Sequence, residues 1–314
     1  MPVTAATTTT ATSTRVPLVA SLMAFGAGLT WSFGAVAAKS ATHADAYQYL
    51  IWRSIGVIVV IEIVNRIRGG GWTLPKAFTS GMPMLLGCVS LFLASIGFVY
   101  ALKNTTAANA AFLASITPLL AVVFARIFLR ERLTRVTIGA IGVALVGLSV
   151  MVISDISAGN MAGNLAALAS AVGFASYTVC VRSDSERDWS PIMPGYAALM
   201  IVVCAVVTFS NGKTLVPPLR DTSYALIHGA VFIVVGTVLF NVASRSVPAV
   251  AMTIFAQSET VFVPLWVFVV LGERPKQATL LGGAIILCAV IGKAVLDARP
   301  LTEAPVEPGP GSIA

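Results

Sequence analysis

Long uncharged stretches dominate the chain and give its first structural prediction. Seven windows without Asp, Glu, Lys or Arg hold at least 19 residues each, enough for a helix rising about 1.5 Å per residue to cross a hydrocarbon core of about 30 Å. The windows are 16–38, 77–102, 104–125, 136–154, 156–181, 189–212 and 222–244. Three further apolar blocks, about 46–65, 246–272 and 277–296, are interrupted by charges. The pattern predicts an all-α polytopic membrane protein with ten transmembrane helices.

Composition supports a membrane environment. Of the 314 residues, 57% are hydrophobic and 11% are charged, with a mean hydropathy of +0.89, whereas soluble domains carry about 25% charged residues. The net charge of +7 does not indicate nucleic acid as a partner, because the basic residues are scattered singly between apolar blocks. The expected partners are the lipid bilayer and a small-molecule substrate.

The distribution of basic residues predicts the orientation. With the N-terminus inside, thirteen Lys and Arg fall on the inner side, six fall on the outer side, and Arg53 lies within a span. Basic residues are enriched in cytoplasmic loops, so we expect both termini to be cytoplasmic, in a multi-pass protein of the plasma (bacterial inner) membrane. The tails 1–15 and 298–314 are expected to be disordered. The first helix is expected to be uncleaved, because its apolar run exceeds that of a signal peptide.

The chain offers little for metal, redox or nucleotide chemistry. Its four cysteines lie within apolar spans and form no CxxC pair, and its two histidines are far apart, so no metal site or cofactor is expected. A Walker A loop is also missing from the sequence, which argues against ATP-driven pumping.

An internal repeat is the most informative pattern. Lys103 begins "KNTTAANAAFLASITPLLAVVFARIFLRER" and Arg245 begins "RSVPAVAMTIFAQSETVFVPLWVFVVLGER", and in each copy 28 residues separate the basic residue from the Glu of Glu-Arg. Both copies are followed by a Gly-containing apolar helix. The repeat unit is five helices, an odd number, so the second copy enters the membrane from the opposite side. We predict two inverted five-helix repeats, 16–154 and 156–297.

These features resemble a known family. Ten spans in two halves, the "LRER" and "LGERP" closings, the first helix "LTWSFGAVAAKS" and the ninth helix "QSETVFVPLWVFVVLGERP" are similar to the EamA-type members of the drug/metabolite transporter (DMT) superfamily. In the ninth helix the proline of the family's Glu-Pro-Val is displaced to Pro264. The resemblance implies transport of small metabolites, often outward, and leaves the substrate open.

Arg53, within the second span, has two interpretations of about equal weight. Its side chain could extend to the interface, or its guanidinium could face a central cavity and bind a carboxylate or phosphate. Family members often carry an arginine here, which favours the cavity. The side chains expected to share that cavity are Tyr47, Trp31 and Tyr100.

Other polar side chains within or beside spans are candidates for the same cavity. Asn109 and Asn241 either line it or bridge helices, while Lys39 and Lys103 are expected mainly as interfacial anchors. We expect Glu62 to be solvated or paired with Arg66.

The two Glu residues that end the repeated helices are expected to form salt bridges at the membrane surface. Glu131 adjoins Arg132, and Glu273 adjoins Arg274. In each case the neighbouring arginine is the expected partner.

Glu259 and Gln257 lie within an otherwise apolar span. The helical neighbours of Glu259 are Phe255, Phe262 and Trp266, and a carboxylate on such a stripe cannot face lipid at acceptable cost. Glu259 is therefore expected near mid-membrane, facing the interior and largely protonated at neutral pH. It is the candidate proton-coupling residue or a substrate contact, and Gln257 is a further substrate-binding candidate.

These patterns favour a secondary transporter. The predicted protein moves a small polar or amphipathic metabolite by alternating access; an amino-acid-like solute and export are favoured, and protons are a candidate coupling ion. A nucleotide-sugar, phosphate-ester or cationic drug carrier is the alternative within the superfamily. An intramembrane enzyme is a distant alternative because no nucleophile and base pair is evident, and a passive channel is another.

Overall fold

A computed structural model describes residues 18–130, 134–156, 161–184, 186–243, 255 and 257–297. Throughout these residues the regular structure is helical. The tails predicted to be disordered, and Glu131, lie outside the described residues.

The helices follow one another with short connections. Their bounds are α1 Leu18–Ser40, α2 Ala46–Ile67, α3 Leu74–Thr79, α4 Met82–Asn104, α5 Ala107–Ala114, α6 Thr117–Phe128, α7 Arg135–Ile156, α8 Met161–Ser183, α9 Ile192–Ser210, α10 Leu219–Ile227, α11 Val234–Ala243, α12 Ser258–Leu271 and α13 Gln277–Asp297. A π-helical segment, His228–Ile233, joins α10 to α11.

Ten helical segments account for the predicted spans. Within the described ranges, six are long and apolar enough to cross a membrane: α1, α4, α5 with α6, α8, α9, and Leu219–Phe240. Shorter apolar helices, Arg135–Met151, Ser258–Leu271 and Gln277–Lys293, add three, and the charge-bearing α2 completes the set. Large apolar side chains such as Phe209, 78% exposed, and Ile153, 68% exposed, form the surface expected to face lipid.

The helix contacts show the relation between the two halves. The counterparts are α1 and α8, α2 and α9, α4 and α10–α11, α5–α6 and α12, and α7 and α13. α4 packs on α8 as α10–α11 packs on α1, and α1 packs on α12 as α8 packs on α5 and α6. When the two halves are exchanged, α2 takes the place of α9 and α7 that of α13, so the packed pairs α2–α9 and α7–α13 are unchanged. The predicted fold of two inverted five-helix repeats is confirmed, while the exact boundaries 16–154 and 156–297 stay a prediction.

The fourth span is broken between α5 and α6. Thr106 caps α5 by accepting a hydrogen bond from the backbone N–H of Asn109, and Pro118 occupies the first turn of α6. Proline has no N–H to donate and favours the start of a helix. The chain therefore makes a turn at Ser115 and Ile116.

Two carboxylates hold the ends of the bundle, and both contradict the partners expected from sequence. Glu62, 4% exposed, accepts hydrogen bonds from the backbone N–H groups of Thr73 and Leu74, at 3.1 and 2.7 Å, and from the Thr73 hydroxyl. It caps α3 instead of pairing with Arg66 or remaining solvated. Its carboxylate accepts hydrogen bonds from the free N–H groups at the start of α3. A salt bridge to Arg66 would leave those N–H groups without this acceptor.

Glu273 likewise has a partner distant in sequence. It pairs with Lys39 at 2.8 Å and accepts a hydrogen bond of 2.5 Å from the backbone N–H of Ala107. The expected partner Arg274 is replaced by Lys39, which also donates to the Thr105 carbonyl at 2.7 Å. This cluster joins the two repeats at one end of the bundle, which we call the Lys103 end; the opposite end is the Glu62 end. The basic-residue pattern predicts that the Lys103 end is external.

Candidate functional site

A polar cavity of about 280 Å³ opens at the Lys103 end. It lies between the start of α2, the end of α4 and the loop that follows α9. The lining residues are Thr42, Ala44, Asp45, Ala46, Tyr47, Tyr100, Lys103, Asn104, Asn211 and Lys213. Two residues predicted to bind substrate, Tyr47 and Tyr100, therefore meet here.

The two tyrosines face the cavity with available hydroxyl groups. The ring centroids of Tyr47 and Tyr100 are 6.1 Å apart. In the described part of the chain neither phenol hydroxyl has a hydrogen-bond partner. Each hydroxyl can donate or accept one hydrogen bond to a solute in the cavity.

An ion pair forms the rim of the cavity. The Lys213 ammonium lies 2.8 Å from Oδ2 of Asp45, and Oδ1 of Asp45 caps α2 by accepting from the backbone N–H of Gln48 at 2.9 Å. Burial raises the pKa of Asp45, but the hydrogen bonds from Lys213 and Gln48 outweigh burial and hold the pKa below its ordinary value of 3.8. Asp45 is therefore ionised at neutral pH.

Lys103 is the second cation of the cavity. Its half-buried side chain donates a hydrogen bond to the Ala41 carbonyl, and its ammonium lies 5.1 Å from the ring centroid of Tyr49. No carboxylate lies within ion-pair distance of it in the described ranges. Lys103 therefore also borders the polar cavity, a contact that the expectation of an interfacial anchor did not include.

Arg53 lies deeper, one helical turn below Tyr49 on α2. It is 4% exposed, and one of its terminal N–H groups donates to the Ser95 hydroxyl on α4. Its Nε has no hydrogen-bond partner, and no described carboxylate forms an ion pair with it. Tyr196 and His228 lie within electrostatic reach of the guanidinium. Arg53 is thus an interior cation, although it does not line the cavity that Tyr47 and Tyr100 share.

The π-helical segment brings the eighth span against Arg53. A side chain at Gly229 would overlap the Arg53 carbonyl, so the two backbones approach as closely as only glycine permits. The preceding residue, His228, 4% exposed, has its Nδ1 2.9 Å from the Tyr49 hydroxyl. π segments inside helices occur often at functional sites, and this one adjoins the buried cation.

Glu259 lies near the middle of the bundle, in the first turn of α12. A Cβ added to Gly28 would lie 3.2 Å from the Glu259 nitrogen, and Gly28 is close to the centre of α1. The Glu259 side chain is partly buried, and no hydrogen bond or ion pair joins its carboxylate to a described residue. Glu259 is thus level with the centre of α1, while its depth in the membrane, its protonation and its coupling role stay predictions.

Aromatic side chains surround this part of α12. The ring centroids of Phe262 and Trp266 are 5.6 Å apart and stacked, Phe33 stacks on Trp266 at 5.0 Å, and Phe25 meets Phe262 edge-on at 5.8 Å. Trp266 Nε1 donates to the Ser32 hydroxyl at 3.0 Å. The aromatic side chains of α12, the helix that carries Glu259, therefore pack against α1.

The remaining predicted site residues lie elsewhere. Trp31 packs on Phe240 with ring centroids 5.5 Å apart, and no described contact joins it to Arg53 or the two tyrosines. Asn109, 1% exposed, accepts a 2.6 Å hydrogen bond from the Thr279 hydroxyl and bridges α5 to α13. Gln257, 7% exposed, accepts from Thr260 at 3.1 Å. The side chain of Asn241 lies outside the described residues.

Several polar residues near the site were missed by sequence reasoning. Ser95 and His228 carry no local pattern, since their importance comes from contacts with Arg53 and Tyr49. Asp221, 1% exposed, accepts 2.7 Å hydrogen bonds from the backbone N–H groups of His43 and Ala44 and so fixes the loop beside the cavity. An acidic residue in the first turn of a helix was the available signal for Asp221.

Comparison with known proteins identifies the fold and relatives. A solved structure titled only "Crystal structure of protein" superposes with a TM-score of 0.63 at 21% sequence identity, covering 89% of this chain and 99% of that chain; it supports the fold alone. The pseudopaline exporter CntI of Pseudomonas aeruginosa is 26% identical over 276 residues, 86% of this chain and 94% of CntI. The uncharacterized transporter YetK of Bacillus subtilis is 27% identical over 228 residues, 68% of each chain.

The family model covers both repeats. Residues 18–153 and 161–293 each match the EamA-like transporter family. The two matches span most of the chain and coincide with the two halves related by the helix contacts. This chain belongs to the EamA-like transporter family, and its function is transport across a membrane.

Proposed function

We propose that the protein is a secondary transporter that exports a small amino-acid-like solute, with Arg53 binding the solute's carboxylate. The observation that carries this proposal is the state of Arg53: 4% exposed, hydrogen-bonded to Ser95, with an unsatisfied Nε and no described carboxylate partner. A buried charge without a counter-ion costs several kcal/mol or more. A substrate carboxylate would supply that counter-ion and could accept two parallel hydrogen bonds from the guanidinium.

The cavity at the Lys103 end supports access to this cation. Tyr47 and Tyr100 line it, and Tyr49 lies between it and Arg53 along α2. A cavity of about 280 Å³ suits a small solute, since sites for drug-sized ligands have volumes of about 300–1,000 Å³. The polar lining favours an amino-acid-like head group over a large apolar cation.

Relatives and symmetry support outward transport by alternating access. CntI is named an exporter, which favours export here. Two inverted repeats can exchange conformations, so that a central site opens first to one side and then to the other. Protons are the candidate coupling ion, because Glu259 lies level with the centre of α1 and its carboxylate has no described partner.

Counterflow in proteoliposomes tests the substrate class. Proteoliposomes that contain the purified protein are loaded with unlabelled amino acids and offered labelled ones. UDP-glucose and tetraphenylphosphonium are tested in the same way, as probes of the nucleotide-sugar and cationic-drug alternatives. We expect accelerated exchange of at least one amino acid. Arg53→Lys keeps the charge but loses the forked geometry, and it should lower exchange about tenfold, a loss of about 1.4 kcal/mol.

Arg66→Lys is the matched control. Arg66 lies on the same helix but near the Glu62 end, exposed and 5.4 Å from the Trp72 ring centroid. The control variant should transport normally, and both variants should retain the thermal unfolding midpoint. Exchange of tetraphenylphosphonium or UDP-glucose without exchange of any amino acid would contradict the proposed substrate class. Unaltered amino-acid exchange in Arg53→Lys would contradict the role of Arg53.

A further inference from the structure

Lys103 is positioned to act on a solute in the cavity. Its ammonium can donate three hydrogen bonds, and the described contacts are one hydrogen bond to the Ala41 carbonyl and the face of the Tyr49 ring. Neither partner is charged. The ammonium therefore retains donor capacity at the wall of a polar cavity; Asp221 and Asp45 attract it at longer range, but no described carboxylate forms an ion pair with it.

The charges of the other lining residues make this cation stand out. Asp45 and Lys213 neutralise each other across 2.8 Å, so Lys103 provides the excess charge of +1 among the residues that line the cavity. The hydroxyl groups of Tyr47 and Tyr100 provide neutral donors nearby. An ammonium flanked by two free phenols is a suitable arrangement for a carboxylate, which accepts several hydrogen bonds.

Tyr49 connects this cation to Arg53. The Lys103 ammonium lies over the ring of Tyr49, and Arg53 follows Tyr49 by four residues on α2, a rise of about 6 Å. Two cations without carboxylate partners among the described residues therefore lie on either side of one buried tyrosine, one at the cavity wall and one deeper in the bundle.

From this arrangement we propose that Lys103 is a second binding site for the substrate's carboxylate, occupied after the carboxylate leaves Arg53 and before release at the Lys103 end. The inference rests on the proposed function for its substrate class. Because Arg53 is buried and Lys103 borders an open cavity, a carboxylate that changes partner from Arg53 to Lys103 moves toward solvent while remaining paired with a cation. Each step then avoids an unpaired buried carboxylate.

Amine labelling measures occupancy at Lys103 directly. Protein in lipid nanodiscs is treated with sulfo-N-hydroxysuccinimidyl acetate in sodium acetate or in sodium chloride of equal ionic strength, and labelled peptides are quantified by mass spectrometry. A bound acetate ion engages the ammonium and slows its modification. At an acetate concentration twice the dissociation constant, labelling of Lys103 should slow about threefold relative to chloride. Lys76, exposed on α3, is the matched control and should show no difference.

The outcomes separate this inference from the role of Arg53. Equal labelling in the two salts, equal slowing at Lys76, or a Lys103 that does not react at all would overturn the inference, since a sealed ammonium cannot bind solute. A labelling rate that depends on the fraction of anionic lipid but not on acetate would make Lys103 a lipid contact and would also overturn it. Acetate protection that persists in Arg53→Gln supports the Lys103 site even if counterflow shows that Arg53 is dispensable.

Discussion

Gly147 on α7 and Gly282 on α13 lie directly against each other where the last helices of the two repeats meet. A Cβ added to Gly147 would lie 2.6 Å from the Gly282 carbonyl oxygen, and one added to Gly282 would lie 2.5 Å from the Gly147 oxygen. The two helices are counterparts in the repeats, so this contact maps onto the same helix pair when the halves are exchanged. Small residues permit such close packing, which stabilises helix pairs in membranes.

Enlarging Gly147 should therefore destabilise the protein. Gly147→Leu places a side chain against the α13 backbone, which cannot move without separating the helices, and overpacking of this kind costs about 1–3 kcal/mol. Gly142→Leu is the matched control, because nothing lies within 4 Å of a Cβ at Gly142. Thermal unfolding in detergent should show a lower midpoint for the first variant alone. Equal midpoints for the two variants would contradict the described packing of α7 on α13.

The cluster at the Lys103 end gives a second prediction. Glu273 binds both the Lys39 ammonium and the Ala107 N–H, whereas Lys39 also has the Thr105 carbonyl. Glu273→Gln should destabilise more than Lys39→Gln, because it weakens the capping of α5 in addition to the ion pair. A double-mutant cycle on unfolding free energies should give a coupling of about 1 kcal/mol. A coupling of zero would show that the pair is not formed in the membrane protein.

Asp45 predicts an acid-dependent loss of stability. Burial raises its pKa, but Lys213 and the Gln48 N–H lower it further, so the folded-state pKa lies below the ordinary 3.8. A carboxyl whose pKa is depressed on folding stabilises the protein above its unfolded pKa, and this contribution is lost as the pH falls through the folded pKa. The temperature of the unfolding midpoint should therefore decrease as the pH is lowered below about 4. Lys213→Gln removes the largest cause that lowers this pKa, so the folded-state pKa moves back toward the unfolded value and the fall should be smaller than in the parent protein. Lys76→Gln, the control, should show the full fall.

The sequence predicted the spans because each is a long local pattern. An uncharged window such as 77–102 is sufficient to indicate α4, and the equal spacings from Lys103 to Glu131 and from Arg245 to Glu273 indicate the repeat. The partners of polar groups were harder to predict. Glu62 caps a helix eleven residues away in sequence, and Arg53 contacts Ser95 across 42 residues. Such contacts depend on which helix faces meet, and local spacing does not specify this.

The candidate site was predicted only in part for the same reason. Tyr47 and Tyr100 do share a cavity, and Arg53 is interior, but Trp31 and Asn109 face other helices. The π-helical segment at His228 could not be read from the sequence, because it forms where Gly229 packs against the Arg53 backbone. Glu259 was identifiable because a carboxylate inside a long apolar block is conspicuous in any membrane sequence.

Glu259 gives the most direct prediction about coupling. Its backbone nitrogen lies beside Gly28, near the centre of α1, and no described residue forms a hydrogen bond or ion pair with its carboxylate, so that group can gain or lose a proton as the surrounding helices move. Glu259→Gln mimics the protonated form and keeps the size of the side chain. The variant should fold normally and exchange bound substrate, but an imposed pH gradient should no longer accelerate net transport. Proteoliposomes with and without such a gradient provide the measurement.

Asp188→Asn is the control for this experiment, since Asp188 is an exposed acid in the loop between α8 and α9. It should retain the full response to the gradient. If Glu259→Gln also retains that response, Glu259 does not couple transport to protons, and its carboxylate is at most a substrate contact. If both net transport and exchange are lost while the thermal midpoint is unchanged, the carboxylate is needed in its ionised form for binding. Because Arg53 lies on α2, apart from the Glu259 region on α1 and α12, loss of the gradient response alone would separate proton coupling from carboxylate binding within one protein.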